Sequence, residues 1–156
     1  METRQSIKGK VEMAKKNNLY IIVVGSGRLG SSIAGNLSNK GHSVVVVDKH
    51  ESTFEHLTQE FTGFTIVGNA TEIESLKKAK IDKADMVLAF TNNDNINYMV
   101  SQVAKEVYKI PHVVARIYNP DNVELFKQIN VEVIIPMILA ETFFNKTFEK
   151  LIGEGS

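Results

Sequence analysis

Three glycines and one aspartate carry the strongest chemical signal in this chain. They are Gly25, Gly27 and Gly30, in the run Gly25-Ser26-Gly27-Arg28-Leu29-Gly30, and Asp48, which comes 18 residues after Gly30. Glycine at the first position allows a tight turn, at the second a close backbone approach to phosphate, and at the third close packing of helix on strand. A helix opening at this loop presents unpaired N–H groups and a partial positive charge to an anion. At the spacing of Asp48, a carboxylate can accept hydrogen bonds from both hydroxyls of an adenosine ribose, and it would repel a 2′-phosphate. Lys49 weakens that exclusion only slightly, because its side chain is expected to point elsewhere. Arg28 stands inside the loop, where a guanidinium can fork onto phosphate oxygens; the alternative is a solvated arginine.

Other polar residues are expected at the ends of neighbouring strands. Asn69-Ala70-Thr71 could lie along an adenine edge, or could form a plain turn with a helix cap by Thr71. Thr91, Asn92 and Asn93 fall near a phosphate or nicotinamide position, although such an Asn/Asp cluster also caps helices. Arg116 at the rim can meet a phosphate or a subunit, or form a surface salt bridge. The candidate binding set is therefore Gly25, Ser26, Gly27, Arg28, Leu29, Gly30, Asp48, Lys49, Asn69, Ala70, Thr71, Thr91, Asn92, Asn93 and Arg116. His42, His50, His56 and His112 show no metal-ligand spacing and read as surface or loop residues. No nucleophile with an adjacent base is visible, so no catalytic residue and no metal ligand is assigned.

The elements that must position these residues alternate. Short β-branched runs at 20–24, 43–47, 64–67, 86–90, 113–116 and 131–135 read as strands. The unbroken valines 44–47 suit a parallel strand covered on both faces. Helices are expected over 28–40, 52–60, 72–79 and 94–108, from Pro120, and over 137–152. Gly41 is placed as a left-handed cap, and Pro136 as the stop of the sixth strand. This order predicts an α/β fold: a doubly wound, parallel six-stranded sheet in three layers, the Rossmann arrangement. Its ligand crevice lies at the carboxyl ends of the strands. Residues 1–18 form a leader, flexible or helical, 19–136 the nucleotide-binding domain, and 137–152 a C-terminal helix. That helix carries Ile138, Leu139, Phe143, Phe144, Phe148, Leu151 and Ile152, a stripe broader than one sheet contact needs. It either covers its own sheet or, the favoured reading, packs on a second subunit.

Composition narrows the function. A chain of 156 residues suits one domain with an adequate core. Eighteen basic residues balance eighteen acidic ones, which argues against bulk attraction to nucleic acid or anionic lipid. The leader is locally basic (Arg4, Lys8, Lys10, Lys15 and Lys16 against Glu2 and Glu12) and reads as a solvated arm or a partner contact. The absence of cysteine fits a cytoplasmic protein. No apolar run approaches the roughly 20 residues of a bilayer span, so direct membrane insertion is not expected.

Taken in order, Gly25 to Gly30, Val44 to Asp48, Gly68-Asn69-Ala70-Thr71, Ala84 to Val87, Thr91 to Asn97 and Val114-Ala115-Arg116 resemble the N-terminal domain of the regulator-of-potassium-conductance family, also called TrkA-N or KTN. The likeness covers about residues 19–150. It implies a cytosolic nucleotide-binding regulatory subunit of a bacterial potassium transporter or channel, held at the inner face of the membrane through that partner. It also implies a homodimer able to assemble further into a ring, and NAD, NADH, ATP, ADP or AMP as ligand. By the same resemblance Arg28 contacts phosphate and Asp48 the ribose. Many members carry aspartate where this chain has Asn69. Some place a cation-binding glutamate where this chain has Met137, so no metal site is carried over. The smaller second domain common in the family is not expected here. The competing function is an NAD-dependent oxidoreductase, which would need a substrate domain or an acid-base group beside the nicotinamide. A DNA-acting redox sensor is disfavoured by the neutral charge and the lack of a helix-turn-helix segment.

Overall fold

Valine and isoleucine runs too apolar to face water on either side settle in the middle of a sheet, and here they do. The computed structural model describes residues 3–5, 7, 8 and 17–153. Its strands are β1 (Tyr20–Val24), β2 (Ser43–Asp48), β3 (Phe64–Val67), β4 (Met86–Ala89), β5 (His112–Arg116) and β6 (Glu132–Ile134). They form one sheet in the order β3-β2-β1-β4-β5-β6, with every pairing parallel. The order reverses between β1 and β4, and that is where a Rossmann crevice opens. The helices are α1 (Arg28–Asn39), α2 (Ile73–Lys78), α3 (Asp94–Gln102), α4 (Val123–Gln128) and α5 (Pro136–Gly153). Of the expected leader, residues 4, 5, 7 and 8 are helical; residues 9–16 lie outside the described residues.

Strand alternation sorts the core into two layers. Ile22, Val24, Val45, Val47, Val87, Ala89, Val113 and Ala115 face one side, packed on Leu76 of α2, Val100 of α3 and Phe126 of α4. Ile21, Val23, Val44, Val46 and Leu88 face the other, against Ala34 of α1 and the partly buried Ile33, Leu37, Phe54 and Leu57. Ile21, Ile22, Val23, Val44, Val46, Val47 and Val87 are buried to within 1% exposure. Each such side chain contributes on the order of 1.5–3 kcal/mol by leaving water. The second layer is less complete. On β5, Val113 and Ala115 are buried in the first layer, while His112, Val114 and Arg116 remain half-buried on the other face.

Several local expectations are corrected. The helix expected over 52–60 is a 3-10 segment, Glu51–His56. Tertiary ties override propensity there: Thr53 and His56 are bonded to Ser26 of the glycine loop, and the close approach of Thr58 to Gly35 leaves no room for a Cβ. The helix expected over 94–108 is α-helical only to Gln102 and continues as a π-turn, Val103–Val107, closed by Tyr108 N–H to Val103 O at 3.2 Å. Pro136 does not stop the sixth strand, which ends at Ile134; it is the first residue of α5, where its missing N–H costs nothing. Gly41 does take a positive φ of 90°, past the end of α1.

Candidate functional site

The end of β1 turns at Gly25, whose φ of 101° suits glycine. A Cβ there would sit 2.6 Å from the Phe90 carbonyl oxygen, so β1 and β4 close on this point. Gly30 is also sterically fixed: a Cβ would lie 2.1 Å from Gly25 O and 3.6 Å from Val23 Cγ1. The crowding is thus mainly against the loop's own carbonyl and only secondarily against the strand. Gly27 is the opposite case, with nothing within 4 Å of a built Cβ. It caps α1 with no side chain, and the first turn of α1 holds no acidic residue. The helix's unpaired N–H groups therefore meet open space with uncompensated positive polarity.

Asp48 at the end of β2 is held rigidly. Its Oδ2 accepts the Ser26 N–H at 2.8 Å and its Oδ1 the His50 N–H at 2.9 Å. Burial pushes its carboxyl up, but those N–H groups and the Ser26 and Thr53 hydroxyls outweigh burial, so its pKa is lowered. Ser26 is fully buried, and it is the hub of this corner. Its hydroxyl bonds Thr53 Oγ1, and its carbonyl accepts from Ser31 Oγ at 2.8 Å and pairs with His56 Nδ1 at 3.2 Å.

These residues face a cleft of about 460 Å³. Of the candidates, Gly25, Gly27, Arg28, Asp48, Lys49, Asn69, Ala70, Thr91, Asn92 and Arg116 line it. Lys49, expected to point elsewhere, is therefore on the rim. Ser26, Leu29, Gly30, Thr71 and Asn93 do not line the cleft. Leu29 packs into the second core layer. Asn69 Oδ1 accepts the Thr71 N–H at 3.0 Å and hydroxyl at 2.7 Å, so the turn is capped by Asn69. Thr71 is no helix cap: α2 starts after Glu72 without a side-chain cap. Asn93 caps α3, accepting the Asn95 and Ile96 N–H groups at 2.9 and 3.1 Å.

Sequence reasoning missed His50, Thr53, Ile96 and Tyr118 on the cleft wall. It also missed the fully buried Asn97. Asn97 Oδ1 accepts the Thr91 N–H at 3.0 Å and hydroxyl at 2.6 Å; its Nδ2 donates to Thr91 O at 3.1 Å and Arg116 O at 2.8 Å. One side chain thus ties the ends of β4 and β5 to α3. Asp94, one turn earlier, accepts the N–H groups of Tyr118 and Asn119 at 2.8 and 3.0 Å and the Asn122 amide at 2.9 Å. Burial opposes its ionisation, but these donors and nearby Arg116 prevail and its pKa is lowered. The only signal for these residues was the Asn/Asp cluster, whose capping and bridging members look alike in sequence. Among the described residues, neither Arg28 nor Arg116 forms a salt bridge, and no three His, Cys, Asp or Glu side chains converge on a metal position.

A cleft at the strand-order reversal, with the open mouth of α1 beside the fixed carboxylate of Asp48, has the form of a nucleotide site. Comparison with known proteins agrees. The TrkA-N domain family matches residues 21–136. The Trk system potassium uptake protein TrkA homolog of Methanothermobacter thermautotrophicus is 34% identical over 75% of this chain and 54% of its own length. The chain spans about half the length of the curated relatives it matches. Among solved structures, the Shewanella denitrificans Kef C-terminal domain in its AMP-bound form superimposes with a TM-score of 0.73 at 16% identity, over 86% of this chain and 82% of that one. The GsuK channel bound to NAD gives 0.63 at 20% identity, over 77% and 22%. At those identities the structures speak for the fold, and the sequence matches for kinship: this chain belongs to the TrkA-N domain family.

Proposed function

We propose that this chain is the nucleotide-sensing part of a regulatory subunit that acts on a membrane potassium transporter or channel. The observation that carries the reading is the glycine loop and Asp48 converging on one cleft within a TrkA-N domain. The ligand is an adenine nucleotide, NAD(H), ATP, ADP or AMP. AMP in the Kef domain and NAD in the GsuK channel support that class. The bound nucleotide lays its ribose on Asp48, its adenine towards Asn69 and Ala70, and its phosphates between Gly27, Arg28 and Arg116. The partner rests on kinship with a Trk potassium uptake protein. Among the described residues no helix is long and apolar enough to cross a membrane. Kinship with the Trk system leads us to place the domain at the inner face of the membrane, held by its partner. The chain acts as a regulator, not as a catalyst, a reading that rests on kinship with the Trk system potassium uptake proteins.

Homodimerisation is part of the same proposal. No residue of α5 is buried, and Phe143, Phe144 and Leu151 are 74%, 62% and 67% exposed. A helix so apolar does not stand in water by preference. The same chain leaves His112 and Val114 of β5 half-buried, away from the cleft end of the strand. A second copy's α5 would supply the apolar cover that each copy lacks, in a twofold exchange. Nucleotide contacts would then act by favouring one arrangement of the two subunits over another. Replacing Phe143 and Phe144 together with Ser should shift the chain towards monomer in sedimentation. A wild-type chain that sediments as a monomer at about 50 µM, a concentration that suits a moderate interface, would end the dimer claim.

The deciding test of the whole reading is thermal stability with NAD, NADH, ATP, ADP and AMP. A ligand at a hundred times its Kd should stabilise the fold by about 2.7 kcal/mol. If none of the five raises the melting temperature, the reading is wrong.

A further inference from the structure

The distal half of the cleft holds a closed circuit of interactions whose product is one arginine. Arg116 lines the cleft at the end of β5. Its carbonyl is held by Asn97 Nδ2 at 2.8 Å. Its guanidinium lies over the Tyr118 ring, 4.4 Å from the centroid. Tyr118 is in turn fixed at its own N–H by Asp94 Oδ1, at 2.8 Å. Asp94 and Asn97 stand three residues apart on α3, on one face of that helix. Backbone and side chain of Arg116 are therefore pinned from the same short stretch of helix.

Two details say what the pinned arginine is for. Arg116 Nε is buried and has no hydrogen-bond partner. Nε therefore has no surface on the cleft, and contact with an incoming anion falls to the terminal Nη1 and Nη2, which form no hydrogen bond among the described residues. Asp94 feels the charge of Arg116 but makes no salt bridge to it, because its oxygens are taken by Tyr118, Asn119 and Asn122. The ring of Tyr118 offers the guanidinium a face without quenching its charge, so the arginine is oriented and still open to an anion.

We propose that Tyr118 is a specificity-determining residue: with Asn97 and Asp94 it holds Arg116 as a preset receptor for the anionic end of the nucleotide remote from Asp48. The cleft then discriminates by the groups beyond the first phosphate. The glycine loop takes the phosphate of a nucleoside monophosphate, while a second phosphate reaches the β5 side and Arg116. This inference rests on the nucleotide reading above. It adds Tyr118, which contacts the ligand's phosphate end only through Arg116 and is in that sense a positioning residue.

The test is calorimetric titration of the full chain and its variants with AMP and ADP. Wild type should bind ADP more tightly than AMP. Tyr118→Ala should weaken ADP about tenfold and leave AMP within about twofold, since a partly desolvated cation–π contact is of that size. Tyr118→Phe, which keeps the ring, should restore wild-type discrimination. Tyr118 is nearly half exposed, so its removal leaves the core intact. Equal losses for AMP and ADP in Tyr118→Ala, or no loss for either, would overturn the proposal while leaving the nucleotide reading standing. Wild type that binds neither AMP nor ADP would also overturn the proposal, and the nucleotide reading would then be decided by NAD, NADH and ATP in the thermal test.

Discussion

The two halves of the cleft reach the same end, a fixed polar surface, by different means. On the β1–β2 side the fixing agents are backbone and space: Gly25 turns where only glycine turns easily, Gly30 sits under a carbonyl, and Asp48 is held by two main-chain N–H groups. On the β4–β5 side they are side chains: Asn97 and Asp94 bridge strand ends that glycine geometry does not bring together. A surface set by backbone sterics tolerates few residue types, whereas a surface set by side-chain amides tolerates variation wherever the bridge is kept. The β1–β2 half, where the proposed pose puts phosphate and ribose, should therefore be rigid and general, and the distal half is where a preference among nucleotides can be tuned.

The largest way to break the first half is Gly30→Ala. Alanine is a better helix former than glycine by about 1 kcal/mol. Here the added methyl would lie 2.1 Å from the Gly25 oxygen, a backbone atom that cannot move without undoing the loop. Sterics win, and the variant should lose about 3 kcal/mol of stability in denaturant unfolding, at the upper end of ordinary overpacking. A neutral or stabilising result would mean that the loop yields to the methyl and is not sterically fixed.

Next in size is Asp48→Ala. Loss of charged hydrogen bonds to the ribose should weaken every adenine nucleotide alike, by roughly 1.5–3 kcal/mol in titration. In the proposed pose Asp48 lies at the end they share, so selectivity among AMP, ADP and ATP should not change. The same residue gives a pH signature. Its folded pKa is lowered below the ordinary unfolded value of about 3.9. The stability it contributes is then fully present above that value and is lost as pH falls through the folded pKa. Acid unfolding should accordingly be less steep below about pH 4 in Asp48→Asn than in wild type. Asp94 is shifted the same way by its own donors, so some steepness should persist.

The contrast between the halves also explains what could be read from the sequence. Gly25, Gly27, Gly30 and Asp48 work at fixed separations along one βαβ unit, so spacing alone exposed them. The all-parallel sheet was legible for a similar reason: valine runs buried on both faces leave few other arrangements. Thr53, His56 and Tyr118 were not legible, because their partners Ser26 and Arg116 are brought to them by chain folding and not by register. The cluster at 91–97 left two roles open in the sequence, and both are filled: Thr91 and Asn92 line the cleft while Asn93 caps α3. Asn93 and Asn97 are chemically identical, yet one caps α3 and the other bridges β4 to β5, and only burial separates them: Asn97 is fully buried and Asn93 is not. The 3-10 turn at Glu51–His56 was hidden because the sequence favours helix locally and tertiary bonds to Ser26 decide otherwise.

The smallest expected effect on stability sharpens the comparison most. Gly27→Ala adds a methyl where nothing lies within 4 Å. Its φ of −65° and ψ of −172° are open to alanine. The protein should therefore tolerate the change, losing only about 0.5–1 kcal/mol because glycine caps a helix better than alanine. Binding should fall further than stability. The methyl enters the space where a phosphate would approach the first-turn N–H groups of α1, and lengthening those hydrogen bonds should cost about tenfold in affinity for AMP and ADP alike. Set beside Gly30→Ala, the variant separates two glycines of one motif by role, one shaped by the protein and one by the ligand. If Gly27→Ala binds AMP as well as wild type, the phosphate does not sit over the mouth of α1, and the ligand must lie in the cleft in another orientation.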